Sequence, residues 1–286
     1  MKISNTSFGL LPRKKNVDKN SFGHVLILAG SPGMTGAARL AGEACLKAGA
    51  GLTTLGVPKG LGNIYAKKNI PELMCLALSQ SKRGTISFAA YPKIISFLRE
   101  RRITCLAIGP GLSYDTGTAR LVQKIVGTSP IPVVLDADGL NCFKGCSEKL
   151  KSHRARLILT PHRGEFERLF ATQWPEKESE RSLLAKKLSK FYDVVLVLKS
   201  HRTLVTDGQK LYCNFTGNPG MAKGGSGDVL TGIIAAFVAQ GLDPFRAAVW
   251  AVHFHGKAGD LAIREKSELS LMPSDLINAL PHVLKV

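Results

Sequence analysis

Nowhere in this chain do eighteen apolar residues follow one another, so no segment is suited to crossing a bilayer as a helix. The stretch from Met1 to Asn20 is polar and basic and lacks the apolar centre of a secretory signal, which points to the cytoplasm. Cysteine is sparse, with six in 286 residues: Cys45, Cys75, Cys105, Cys142, Cys146 and Cys213. None forms Cys-x-x-Cys, and Cys142 and Cys146 have no second pair to complete a zinc site. Several stand inside apolar runs such as Thr104-Cys105-Leu106-Ala107-Ile108, so reduced, buried packing cysteines are expected. Acid is the scarcer charge: 21 Asp and Glu face 39 Lys and Arg, a net charge of +18. The basic clusters (Arg13–Lys15, Lys67–Lys68, Lys82–Arg83, Arg99–Arg102, Lys186–Lys187) are dispersed and not interleaved with aromatics, which argues against a nucleic-acid partner. The surplus either draws polyanionic small molecules such as nucleotides or reflects only the host's interior. Linkers, low-complexity tracts and repeats are missing too, so one domain over 1–286 is the expectation.

What is present is alternation. Strand candidates are His24–Ala29, Leu52–Val57, Thr104–Ile108, Val133–Leu135, Leu157–Leu159 and Val194–Leu198, mostly continuous runs suited to a buried parallel sheet. Between them lie helical patterns. Ala37, Leu40, Ala41, Ala44, Cys45 and Ala48 share one helix face that ends at Gly49. Val229, Leu230, Ile233, Ile234, Phe237 and Val238 repeat the pattern up to Gly241. Thr203–Thr206 and Lys210–Cys213 flank Asp207-Gly208, which predicts a hairpin. Such alternation implies right-handed crossovers and a mainly parallel sheet with helices on both faces.

In sheets of this kind ligands bind beyond the carboxyl ends of the strands, where the glycine-rich and polar turns of this sequence fall. The strongest signal is Asn218-Pro219-Gly220-Met221-Ala222-Lys223-Gly224-Gly225-Ser226-Gly227-Asp228. A glycine-rich loop entering a helix offers free amides and the positive end of the helix dipole to an anion, here through Gly224, Gly225, Ser226 and Gly227. Asp228 at the helix start then either accepts a proton from a substrate hydroxyl or simply occupies a position that favours an acid. Gly-x-x-x-x-Gly-Lys-Ser/Thr does not occur, which excludes a P-loop. Gly30–Gly36 has the spacing Gly-x-x-Gly-x-x-Gly, and no acid follows the second strand at Val57-Pro58, so a dinucleotide-binding dehydrogenase is excluded as well.

Taken in order, Gly23 through Val57, Gly109-Pro110-Gly111, Leu135-Asp136-Ala137-Asp138, Thr160–Glu165, Asn218–Gly232 and Pro273 through Pro281 resemble the motifs of the NAD(P)H-hydrate dehydratases over nearly the whole chain. The resemblance implies a three-layer α/β/α ribokinase-like fold with a mainly parallel central sheet. It also implies dehydration of (6S)-NADHX or (6S)-NADPHX to NADH or NADPH, driven by phosphoryl transfer from ADP or ATP with Mg²⁺. Carried over residue by residue, Ala37, Gly111, His162 and Asp228 contact the hydrate. Lys199, Ser200, His201, Arg202, Thr203 and Gly227 contact the adenine nucleotide. Asp228 is the catalytic base, and Glu165 resembles an acid that orients metal-bound water. A homotetramer is implied, and a separate epimerase serving the same substrate pool, because the chain starts too late to carry the epimerase domain of the bifunctional relatives.

Three positions depart from the family pattern. Ser200 stands where glycine is usual, Arg163 where proline is commoner, and Lys223 replaces a small polar residue. Arg163 and Lys223 are each either phosphate contacts or solvated side chains. Asp136 and Asp138 end a strand and reach a metal or substrate, unless Asp138 caps the following helix. His253 and His255, two apart on a helix, face different ways and do not share a metal. Trp250 belongs to the core. A small-molecule kinase of the same fold would use the same loop and aspartate but release a stable phosphoester. A non-enzymatic nucleotide- or RNA-binding protein would keep the fold without needing Asp228.

Overall fold

The structure is a computed structural model that describes residues 16–68 and 70–285. Its sheet has nine strands among the described residues: β1 (His24–Leu28), β2 (Leu52–Pro58), β3 (Leu73–Leu78), β4 (Cys105–Ile108), β5 (Val133–Leu135), β6 (Leu157–Leu159), β7 (Val195–Leu198), β8 (Leu204–Thr206) and β9 (Leu211–Cys213). They lie in the order β3-β2-β1-β4-β5-β6-β7-β8-β9. The first seven pair parallel; β8 and β9 close the edge antiparallel, as the hairpin predicts. The edge strand β3 has no counterpart among the expected strands. Leu73-Met74-Cys75-Leu76-Ala77-Leu78 carries no β-branched residue, and its middle is partly exposed, so neither propensity nor a buried run marks it.

Successive residues of β1 serve opposite faces. Val25 and Ile27 join one apolar layer, and Leu26 and Leu28 join the other. The first layer is covered by α1 (Thr35–Lys47), α2 (Gly62–Lys68), α8 (Ser226–Ala239), α9 (Pro244–Ala262) and α10 (Pro273–Val283). The second is covered by α3 (Tyr91–Glu100), α4 (Thr116–Thr128), α5 (Ala137–Asn141), α6 (Arg163–Phe170) and α7 (Glu178–Tyr192). The three-layer arrangement expected from alternation is the one observed.

Both predicted helix ends hold: Gly49 and Gly241 follow α1 and α8 in left-handed backbone. The buried face of α1 is rotated from the expected one. Ala38, Ala41, Gly42, Ala44 and Cys45 are buried, while Ala37 is left part-exposed towards the turns above the sheet. Trp250 is core, 4 % exposed, and stacked on Phe254 at 5.6 Å. All six cysteines are free; Cys45, Cys105 and Cys142 are buried, whereas Cys75 on the edge strand is exposed and Cys146 and Cys213 are part-exposed. The packing role expected of cysteine thus holds for half of them. Among the described residues no helix is long and apolar enough to cross a membrane.

Helix α8 lies against α1 so closely that a Cβ on Gly232 would stand 2.2 Å from the Ala41 carbonyl oxygen. Backbone cannot yield as a flexible side chain can, so Gly232→Ala is expected to lower stability by about 1–3 kcal/mol. Urea unfolding checks this as a lower midpoint at unchanged slope; an unmoved midpoint would show that the two helices separate freely.

Candidate active site

Every turn singled out by glycines and polar residues lies at one edge of the sheet, beyond the carboxyl ends of the parallel strands. Strand order reverses between β1 and β4, which opens the crevice where such folds bind ligands. The turn after β1 and the turn after β4 meet there, with the Gly30 amide donating to the Pro110 carbonyl at 3.0 Å. Gly111, at φ 56, packs so near that an added Cβ would stand 2.7 Å from the Met34 carbonyl oxygen and 2.9 Å from the Ala37 Cβ. Ala37 and Gly111, proposed separately from sequence, therefore line one corner of the crevice.

Its centre is a buried carboxylate. Asp136, 1 % exposed, ends β5 and accepts from Thr160 Oγ1 at 2.8 Å, Thr231 Oγ1 at 2.7 Å and Lys199 Nζ at 2.6 Å. Three elements converge on it: the exit of β6, the first turns of α8 and the exit of β7. Charged hydrogen bonds of this kind are the strong ones, and they hold the Lys199 ammonium in place. Glu165 lies 3.6 Å from the same ammonium. Burial disfavours the Lys199 cation, but the carboxylates of Asp136 and Glu165 outweigh it, so its pKa is raised and it stays charged. Asp138 serves neither as helix cap nor as a member of this cluster's hydrogen bonds. Its carboxylate accepts from the Ser113 amide at 2.9 Å and Asn141 Nδ2 at 3.0 Å, tying the β4 turn to α5.

Helix α8 opens at Gly225, whose φ of 99 only glycine adopts without strain. The Ser226 amide turns back to the Lys223 carbonyl at 3.2 Å, so one of the four expected anion donors is already engaged. Among the described residues, the amides of Gly227 and Asp228 have no hydrogen-bond partner, as first-turn amides lack a carbonyl within the helix. Gly227 sits beneath the cation: a Cβ there would be 3.2 Å from Lys199 Nζ. Two unpaired amides, a helix N-terminus and a fixed ammonium thus face one small space.

Asp228 stands at its rim, half-buried. Burial, reinforced by the negative charge of Asp136 and opposed by Lys199, pushes its pKa up to about 7. A carboxyl poised near neutrality suits proton exchange with a hydroxyl. Below it, His255 donates from Nε2 to the Ser226 carbonyl at 3.0 Å. Burial drives the His255 pKa down to about 4, so the ring is neutral and acts as a prop for the loop. His253 faces elsewhere, against the Trp250 ring at 5.8 Å, as the helical spacing predicts.

His162 caps α6. Its Nδ1 accepts from the Gly164 amide at 3.0 Å, and Nε2 faces Glu165 Oε1 at 3.3 Å. The Glu165 Oε2 accepts from the His162 amide at 2.9 Å, closing a reciprocal cap. The parallel bridge between His162 and Lys199 places both on this edge.

Beyond Lys199 the predicted nucleotide contacts move outward. Ser200, His201 and Arg202 are exposed, and Thr203 is part-exposed. The Thr203 hydroxyl donates to the Ser200 carbonyl at 3.0 Å. The left-handed residue of this turn is Arg202, at φ 57, and not Ser200, so the serine that replaces glycine meets no backbone strain. Arg163 pairs with Glu176 at 2.8 Å and Glu167 at 3.3 Å, and Lys223 donates to the Leu269 carbonyl at 2.7 Å; neither is turned to the anion loop. Sequence reasoning missed Thr160 and Thr231, and it named His255 without giving it a task at the site. Thr231 follows Asp228 by three residues, the one local signal that both share a helix face.

No group of three or more His, Cys, Asp or Glu among the described residues is arranged to hold a metal ion. That donor set fits Mg²⁺ only in its usual manner, carried by phosphates with one or two carboxylates and several waters.

The family profile described as NAD(P)H-hydrate dehydratase matches residues 25–282. The chain is 44% identical over 278 residues to the bifunctional NAD(P)H-hydrate repair enzyme Nnr of Moorella thermoacetica, covering 96% of this chain and 52% of that one. It thus spans about half the length of the curated relatives it matches first. It is 32% identical to the ADP-dependent (S)-NAD(P)H-hydrate dehydratase of Listeria monocytogenes, covering 96% of this chain and 92% of that one. The crystal structure of the ADP/ATP-dependent NAD(P)H-hydrate dehydratase of Bacillus subtilis, co-crystallized with ATP/Mg²⁺, superimposes with a TM-score of 0.80 at 30% identity, covering 96% and 93% of the two chains. A ribokinase-like superfamily protein of Enterococcus faecalis does so with a TM-score of 0.77 at 28% identity, covering 96% and 90%.

Proposed function

Because this chain belongs to the NAD(P)H-hydrate dehydratase family and has the ribokinase-like fold, we propose that it restores NAD(P)H from the (6S) hydrate at the expense of a phosphoryl group of ADP or ATP. The observation that carries this reading is the meeting of unpaired α8 amides, the Lys199 ammonium and the Asp228 carboxyl at one point of the crevice.

Hydroxide leaves poorly, whereas phosphate leaves readily because its charge is spread over several oxygens. Asp228 takes the proton of the ring hydroxyl as its oxygen attacks the terminal phosphorus of the nucleotide. The bond from that phosphorus to the bridging oxygen breaks, giving AMP from ADP or ADP from ATP. The Gly227 and Asp228 amides and the Lys199 ammonium stabilise the charge on the phosphoryl group in transit. The ring-nitrogen lone pair then expels phosphate, and loss of a proton from the neighbouring ring carbon restores the dihydronicotinamide. Mg²⁺ would supply charge neutralisation on the phosphates, and Glu165 is the residue that would hold it, through water. Ala37, Gly111 and His162 hold the hydrate; the 199–203 turn and Gly227 hold the nucleotide. This reading includes a cytoplasmic homotetramer working beside a separate epimerase.

Purified protein incubated with NADHX, Mg²⁺ and ADP or ATP is expected to regenerate the dihydronicotinamide absorbance with one phosphate released per turnover. A stable phosphorylated hydrate would identify a kinase instead, and neither product would remove the catalytic reading.

A further inference from the structure

The turn that carries the proposed nucleotide contacts ends against a residue to which nothing yet assigns a role. Phe215, just beyond β9, is 74 % exposed, while the residues on either side of it are tied down. The Asn214 amide donates to the Thr203 carbonyl at 2.9 Å, and the Tyr212 hydroxyl donates to Asn214 Oδ1 at 3.1 Å. Thr216 Oγ1 donates to the His253 carbonyl at 2.9 Å. A large apolar ring is thus held out into solvent on a fixed backbone. One of its faces is covered by the Arg202 guanidinium, 5.2 Å from the ring centroid. Arg202 is itself held in left-handed backbone and by Glu178 at 3.7 Å.

Position gives the pair its meaning. Antiparallel pairing of β7, β8 and β9 brings the exit of β9 to the same sheet edge as the exit of β7. Lys199 and Arg202 are three Cα steps apart, at most about 11 Å. Lys199 in turn touches the space above Gly227. A nucleotide with its terminal phosphate at Gly227 extends outward along this turn, and its base arrives where Phe215 offers an uncovered face.

We infer that Phe215, backed by Arg202, is the stacking platform for the purine base of the phosphoryl donor. This rests on the nucleotide-dependent reading proposed above. Removing one base–aromatic stack weakens binding by about tenfold or more. The test compares ADP with inorganic pyrophosphate, which shares the phosphates but has no base, by calorimetric titration with Mg²⁺. In Phe215→Ala the Kd for ADP is expected to rise about tenfold while that for pyrophosphate stays constant. Phe215→Trp is expected to keep the wild-type affinity for ADP. The inference is overturned if ADP binds Phe215→Ala as tightly as wild type, or if ADP and pyrophosphate weaken together, since the loop would then merely have been disturbed. Failure of the wild-type protein to bind ADP or ATP would instead strike at the phosphoryl-donor reading itself.

Discussion

Asp228→Asn is expected to lower turnover by about 10²–10⁴-fold, the usual range for a general base, while ADP binds as before. Asparagine keeps the shape and the first-turn position but cannot take a proton from the hydroxyl. The pH dependence follows from the same group. Burial and the charge of Asp136 hold the Asp228 pKa at about 7, so the base is protonated below neutrality. kcat/KM is therefore expected to rise with pH through about 7 and then level. Stability runs the other way. Between the ordinary value near 4 and the folded value near 7, the folded chain holds a proton that the unfolded chain has released. Folding is thus progressively disfavoured as pH rises across that window. Asp228→Asn removes this penalty, so its Tm is expected to match wild type near pH 4 and exceed it near pH 8. Wild-type rates in Asp228→Asn, or a Tm difference that does not grow with pH, would dismiss Asp228 as the poised base.

Asp136→Asn is expected to act twice. An amide accepts less well than a carboxylate from Lys199, Thr160 and Thr231, and the Lys199 ammonium is left with Glu165 at 3.6 Å. Losing a hydrogen bond between charged groups costs about 1.5–3 kcal/mol, a fall in Tm on the order of 5 °C. The second effect reads the site and not only the fold. With one negative neighbour gone, the Asp228 pKa moves down, and the acid limb of kcat/KM shifts to lower pH. Thermal unfolding and a pH–rate profile check the two separately. A limb that stays at the wild-type pH would mean that Asp136 supports the structure without influencing the base.

Much of this site can be traced along the chain because its parts are backbone features. A helix entered through Gly224-Gly225-Ser226-Gly227-Asp228 leaves unpaired amides wherever it folds, since the first turn has no carbonyls behind it. Alternating apolar runs and helical faces dictate a covered parallel sheet, and Asp207-Gly208 dictates the hairpin that ends it. Those local rules determined the fold class and marked the candidate anion loop and candidate base. What tertiary structure alone decided is which groups share a space. Asp136, Thr160, Lys199 and Thr231 lie far apart in sequence and meet only because β5, β6, β7 and α8 end at one place. The poised state of Asp228 follows from that meeting, since burial and a second buried carboxylate raise its pKa and no sequence spacing encodes either. His255 likewise gains its task by lying under Ser226, and Arg163 and Lys223 lose theirs to Glu176 and the Leu269 carbonyl. Local sequence specifies conformation through bonds and sterics over a few residues. The charge and solvent around a side chain depend on whatever distant segments pack against it.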